Sequence, residues 1–146
     1  MANISTASAH WEGGLEDGLG TISAESSQLF TDAPYNFKAR AESQVHITTP
    51  EELLGAAHAA CFSMAFSLVL GTKGIKPESI DTTAEVTFAA TADGPAITGI
   101  HLINHSKISA LSSNDKFQEI AQIVKENCPV SKVLTGVTIT LDATLD

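Results

Sequence analysis

Arg40, Glu51, His58, Cys61 and Cys128 are the side chains here whose types and spacing could do chemistry. Cys61 sits within GAAHAACFSMAFSLVL, residues 55–70, three residues after His58. A thiol reacts as its thiolate, and burial in apolar surroundings raises a cysteine pKa above its reference of about 8.5. A reactive Cys61 therefore needs a cation. Arg40, the only arginine in the chain, lies on the segment leading into this stretch and is the candidate; the alternative is a solvated loop charge. His58, one helical turn from Cys61, is either its base or a hydrogen-bonded, half-buried residue.

Cys128 stands in ENCPVSKVL. Pro129 biases Cys128 away from the α region and can begin a new helical turn, which places this thiol at a positive dipole end. That position favours the thiolate and a good leaving group. Cys61, inside a helix, lacks that aid. Two cysteines in a chain with no visible secretory signal do not form a disulfide scaffold, and both are inert buried thiols unless their surroundings activate them.

The elements that must position these groups read clearly. ASAHW, EGGLEDGLG and TISAES form an N-terminal hairpin with a glycine-rich turn. TDAPYNFKARAESQVHI is a loop or edge strand. Thr49 as N-cap, Pro50 at the first helical position and the acids Glu51 and Glu52 open a helix that runs to about Leu70 and stops at Gly71 and Gly74. DTTAEVTFA places Thr82, Ala84, Val86 and Phe88 on one face, turns at Ala92–Pro95, and pairs with AITGIHLIN. Phe117, Ile120, Ala121 and Val124 recur at helical spacing over 115–127, capped by Ser112 or Ser113. VTITLDATLD alternates, with Val137, Ile139, Leu141, Ala143 and Leu145 inward. The predicted fold is α+β, an antiparallel sheet packed on two helices, as one domain over residues 1–146.

With 8 Lys+Arg against 17 Asp+Glu, the net charge of −9 disfavours nucleic acid and anionic membranes as partners. Residues 53–70 are long enough to raise a membrane question, but Gly55, His58, Ser63, Ser67 and five alanines fit a buried central helix instead. His101 and His105 share a strand face without a third ligand in pattern, so no metal site is assigned. Phosphate-binding loops, C-x-x-C, H-E-x-x-H and G-x-S-x-G are absent.

Gly55, Ala56, Ala57, Ala59 and Ala60 leave little bulk around the helix middle, and a helix apolar on all sides needs cover on all sides. Either a second copy crosses near Gly55 and Ala56 about a two-fold axis, or the helix from Asp115 packs there. Ten residues separate Glu51 from Cys61, about 15 Å along a helix. Antiparallel copies crossing near residue 56 bring Glu51 of one chain toward Cys61 of the other.

TPEELLGAAHAACFSMA, with AHWEGG, PYNFKAR, SIDTTAEV, NCPVSKVL and ITLDATL, closely resembles the OsmC/Ohr family across nearly the whole chain. GAAHAACFSM points to the OsmC branch. AESQVHITT, after Arg40, departs from the family's pattern. The resemblance implies an intertwined homodimer around two central helices, with two sites at the interface. It implies a thiol-dependent peroxidase acting on organic hydroperoxides, which needs no bound cofactor; with no secretory signal visible, a cytoplasmic location is expected. By position, Cys61 matches the peroxidatic cysteine, Cys128 the resolving cysteine, and Arg40 and Glu51 the activating polar pair.

The mechanism so implied starts with the Cys61 thiolate attacking the peroxide, which gives a sulfenic acid and an alcohol. Condensation with Cys128 then forms a Cys61–Cys128 disulfide, reset by an external thiol, dithiol or lipoyl reductant. Leu53, Leu54, Phe62, Met64 and Phe66 are expected to line the site and favour oily hydroperoxides. Two alternatives use the same cysteines. A general thiol–disulfide oxidoreductase would exchange fast with disulfides and turn over hydroperoxides poorly. A non-catalytic redox-sensing dimer would oxidise without sustained turnover.

Overall fold

The structure, a computed structural model, describes residues 2–146. These form two compact units that meet in sequence between Leu53 and Leu54.

In the first unit, strands β1 (Ser8–Glu12), β2 (Leu19–Ser23) and β3 (Ala33–Tyr35) make an antiparallel sheet in the order β1-β2-β3. The N-terminal hairpin is thus where the glycine spacing put it. After β3 comes a one-turn helix, α1 (Lys38–Ala41), within the segment expected to be a loop or edge strand. It forms because the Asn36 side chain accepts the Ala39 N–H at 2.7 Å, while Ala39 itself is buried. A single turn carries no periodicity to detect. AESQVHITT closes back on β3 through a bridge between Tyr35 and Thr48.

Helix α2 (Pro50–Thr72) begins as its start signal demands, with Thr49 Oγ1 accepting the Glu52 N–H at 3.1 Å and Pro50 in first place. It ends at Gly74, whose φ of +70° lets the chain leave in the left-handed region. By length and composition α2 is apolar enough to cross a membrane. Its buried side, however, carries Phe62, Phe66 and Leu70 into a core shared with strand and helix residues of the second unit.

That second unit holds β4 (Ser79–Thr91), β5 (Gly94–Lys107), helix α3 (Asn114–Asn127), helix α4 (Pro129–Val133) and β6 (Thr138–Leu145). β4 and β5 are the expected antiparallel hairpin, joined at Ala92–Asp93. β6 pairs with β5 in parallel, from Gly99↔Thr138 to Ser106↔Leu145. The sheet is therefore mixed rather than antiparallel throughout. The reason is topological: a strand that returns beside its predecessor after a helical crossover runs in the same direction.

The core joins Phe62, Phe66 and Leu70 of α2 to Ile100 and Leu102 of β5 and to Phe117, Ile120, Ala121 and Val124 of α3. Full burial of each large side chain contributes roughly 1.5–3 kcal/mol. Phe66 meets both Phe62 and Phe117, with ring centroids 5.8 and 5.6 Å apart. Gly55 packs on β4, where an added Cβ would lie 3.1 Å from the Ala84 carbonyl oxygen. The small-residue stripe is thus not covered by α3: Gly55 faces β4, while Ala56, Ala57, Ala60, Met64 and Leu68 stay exposed.

Candidate active site

Four candidate residues come together as two pairs. In the first unit, Arg40 of α1 meets Glu51 in the opening turn of α2. Arg40 Nε donates to both Glu51 carboxylate oxygens at 3.1 Å each, and Nη2 donates to Oε1. Burial pushes the Glu51 carboxyl up, but the Arg40 hydrogen bonds, its own backbone N–H, the Arg40 charge and the Thr49 hydroxyl overcome this. The group is held below the usual carboxylate range. Glu52, its neighbour, instead accepts from the Thr48 hydroxyl at 2.6 Å. Glu51 thereby holds the guanidinium in one orientation, since a fork of donors on a carboxylate fixes a plane as well as a distance.

In the second unit, Cys61 and Cys128 are neighbours. Both are free thiols, Cys61 half-buried and Cys128 sealed in the core. Cys128 ends α3 and precedes α4, at φ −55° and ψ 125°, the extended backbone that a following proline imposes. Pro129 is the first residue of α4. The Cys61 thiol is pushed up by burial and by the adjoining Cys128 thiol. The Val130 backbone N–H, donating to the Cys61 sulfur, works in the opposite direction. The helix start created by Pro129 therefore sends an amide to Cys61, the thiol expected to go without one.

His58 is fully buried, and its Nε2 lies 2.8 Å from Ser131 Oγ in α4. Among the described residues its Nδ1 has no hydrogen-bond partner. Burial alone lowers its pKa and keeps the imidazole neutral. His58 is thus a strut between α2 and α4, the more ordinary of its two expected roles. Val130 and Ser131 were missed at the sequence level. The proline in NCPVS was the available signal, since it implies a fresh set of unpaired N–H groups immediately after the cysteine.

Phe62 and Phe66 do not line the site: both are wholly enclosed in the core, while Met64 is 68% exposed. Their order along α2 explains the error. A helix apolar all round gives no sequence cue to which side faces inward. His101 and His105 pair instead with Asp142 and Asp146 at 3.3 and 3.6 Å. No group of three or more His, Cys, Asp or Glu among the described residues is placed to hold a metal ion.

A family model described as OsmC-like protein matches residues 42–142, more than half of the chain. The chain belongs to the OsmC-like family. It is 49% identical over 134 residues to peroxiredoxin OsmC of Escherichia coli, covering 92% of this chain and 91% of that one. It is 27% identical over 89 residues to organic hydroperoxide resistance protein-like 1 of Staphylococcus epidermidis, covering 61% and 63%. Among solved structures it resembles the organic hydroperoxide resistance protein OhrB of Bacillus subtilis, with a TM-score of 0.73 and 27% identity over 95% of this chain and 98% of that one. The OsmC-like fold and its mixed α+β architecture follow from these likenesses.

Proposed function

We propose that this OsmC-like chain is a thiol-dependent peroxidase reducing organic hydroperoxides to alcohols, with Cys61 as the attacking thiol and Cys128 as the resolving one. The observation that carries this is the contact of two free thiols, one of which receives the Val130 N–H at its sulfur. An amide donor at sulfur stabilises negative charge there. Attack of the Cys61 thiolate on the outer peroxide oxygen breaks the O–O bond. The oxygen stays on sulfur as a sulfenic acid, and the alkoxide takes a proton and leaves as alcohol. Cys128 then attacks the sulfenic sulfur, water departs, and a disulfide forms. An external thiol, dithiol or lipoyl group supplies the two electrons that restore both thiols.

Arg40 and Glu51 complete the site from a second copy. Ten residues of one helix separate Glu51 from Cys61, about 15 Å. The exposed face of α2, with Ala56, Ala57, Ala60, Met64 and Leu68, suits an antiparallel crossing with its own two-fold mate. Crossing through Ala56, Ala57 and Ala60 leads the Arg40–Glu51 pair of one protomer to the partner's Cys61, whose raised pKa the guanidinium then opposes. The whole chain acts as one OsmC-like domain, in the cytoplasm, where both thiols stay reduced between turnovers.

The test is to weigh the intact reduced protein after one equivalent of an alkyl hydroperoxide. Loss of two hydrogens is expected, and in Cys128→Ser a gain of one oxygen on Cys61 instead. An unchanged mass in both would remove the two-cysteine mechanism. Oxidation that stops after one cycle, with excess dithiol present, would favour a sensor over an enzyme.

A further inference from the structure

Helix α4 is five residues long, and Cys128 before it supplies no side-chain cap. Its turns are closed by the Lys132 N–H on the Cys128 carbonyl at 3.0 Å and the Leu134 N–H on the Val130 carbonyl at 3.1 Å. Those bonds fix the shape of α4 but not its place against α2. Pro129, Lys132 and Val133 are exposed, so its seat depends on the inward residues Cys128, Val130 and Ser131. Apolar contact along so short an element permits sliding, because the hydrophobic effect has no direction. A hydrogen bond between two buried groups has one length and one direction, and leaving it unmade is costly. His58 and Ser131 form such a bond, the first fully buried and the second 7% exposed, across a sequence separation of 73.

α2 and α4 are thus joined twice within a short span. The His58 imidazole, one turn before Cys61, meets Ser131, while Val130, the residue before Ser131, gives its N–H to the Cys61 sulfur. Cys128 directly precedes α4, so whatever seats α4 also seats both groups that act on Cys61. We propose that His58 and Ser131 are positioning residues, their hydrogen bond holding α4 so that the Val130 N–H stays on the Cys61 sulfur and Cys128 stays in line to close the disulfide. This rests on the two-cysteine peroxidase function above and gives it a pair of residues outside the reacting atoms. Both roles of α4 are sensitive to placement. A hydrogen bond weakens steeply away from linearity, and a disulfide needs its Cβ atoms about 3.5–4.5 Å apart with a torsion of about 90°. In the closing step the S–S bond forms, the S–O bond of the sulfenic acid breaks, and the hydroxyl leaves with the Cys128 proton as water. A misplacement of about 1 Å can slow a reaction about a hundredfold. Burial keeps the imidazole neutral and its Nε2 is engaged with Ser131, so its part is to hold α4, not to take a proton.

The first readout needs no peroxide: the rate at which iodoacetamide modifies Cys61 in the reduced protein is followed against pH, the site being mapped by peptide mass. The ionisable groups that bear on this thiol, Cys128 and, in the proposed dimer, the partner's Arg40 and Glu51, are unchanged in every variant. In Ser131→Ala and His58→Leu the profile should move to higher pH, with about tenfold slower modification near neutrality and the same alkaline plateau. His58→Gln, whose amide can reach Ser131 but takes no proton, should return close to the wild-type profile. The second readout adds one equivalent of an alkyl hydroperoxide with dimedone present. Cys61 trapped as sulfenic acid should rise about tenfold in Ser131→Ala and His58→Leu, because closure to the disulfide is slowed, and not in His58→Gln. Wild-type profiles in the two untied variants would overturn the proposal. So would His58→Gln falling as far as His58→Leu, the mark of a base instead of a tie. A cooperative urea transition certifies each variant as folded, and Ser131→Ala, the smaller change, decides if His58→Leu does not fold. If even wild type fails to react with peroxide, the peroxidase function falls while the alkylation profiles still judge the tie. If the untied variants match wild type in both readouts, only the tie falls.

Discussion

Replacing Glu51 by glutamine keeps the shape of the side chain but removes its charge and turns an NH₂ group toward the guanidinium. Hydrogen bonds to charged groups contribute roughly 1.5–3 kcal/mol, exposed ion pairs about 0.2–1, and breaking a fully buried pair costs about 3–5. The Glu51 side chain is 9% exposed and that of Arg40 27%, so the pair falls between the last two classes. Glutamine still offers Nε a carbonyl acceptor, which limits the loss, and a cost of about 2 kcal/mol is expected near neutral pH. In urea titrations followed by circular dichroism the midpoint should drop by about 1 M, for a slope of about 2 kcal/mol/M. The pH dependence makes the test sharper. Because the folded protein holds the Glu51 pKa below its ordinary value, its contribution is complete above about pH 4.3, the unfolded-chain value. It fades as pH falls through the lower folded-state pKa. Wild type and Glu51→Gln should therefore converge in acid. A gap that persists undiminished there, or one below about 0.3 kcal/mol near neutrality, would refute the ion-pair account.

Other outcomes follow from the remaining contacts. Ser131→Ala leaves the buried His58 imidazole without its partner and should cost about 1–3 kcal/mol, read as a lower urea midpoint. The His58 pKa is lowered in the folded state, so wild-type stability should begin to fall below about pH 6.5, the unfolded-chain value. His58→Phe should lose that upper window while keeping the acid window of Glu51. Arg40→Lys replaces a planar fork by a point charge and should slow single-turnover oxidation of Cys61 by roughly tenfold or more, measured by stopped flow at matched pH. Ala60→Glu places a carboxylate on the exposed face of α2 and should convert a dimer to a monomer in sedimentation velocity, with loss of peroxidase activity.

Most elements could be read from the chain because their boundaries carry chemistry. Thr49 and Pro50 announce α2, and Ser113 caps α3 by accepting the Lys116 N–H. The alternation of β4 and β6 shows in their burial, residue by residue. What escaped lacks such marks. α1 is one turn, held by an asparagine two residues before it. The direction of β6 depends on which strand it joins, a long-range fact that alternation leaves open. Cys61, Cys128 and Arg40 stood out because the chain has two cysteines and one arginine, whereas Glu51, one of ten glutamates, was joined to Arg40 by the family resemblance. The Val130 amide was not, because a backbone N–H has no letter in the sequence. The aromatic walls beside Arg40 fall within AHWEGG and PYNFKAR, yet nothing in one dimension says that Trp11 and Tyr35, so far apart, share a cavity.

Pro129 sits where α3 stops and α4 starts, and it ties the surroundings of a thiol to a break in secondary structure. Had α3 run on without a break, Cys128 would be one more lateral knob on a cylinder, and the Val130 amide would be occupied within it. The break frees that amide. The Val130 N–H that reaches the Cys61 sulfur is thus freed by the imino acid of another segment, and conservative exchanges in the body of α3 should matter less to that contact than replacement of Pro129.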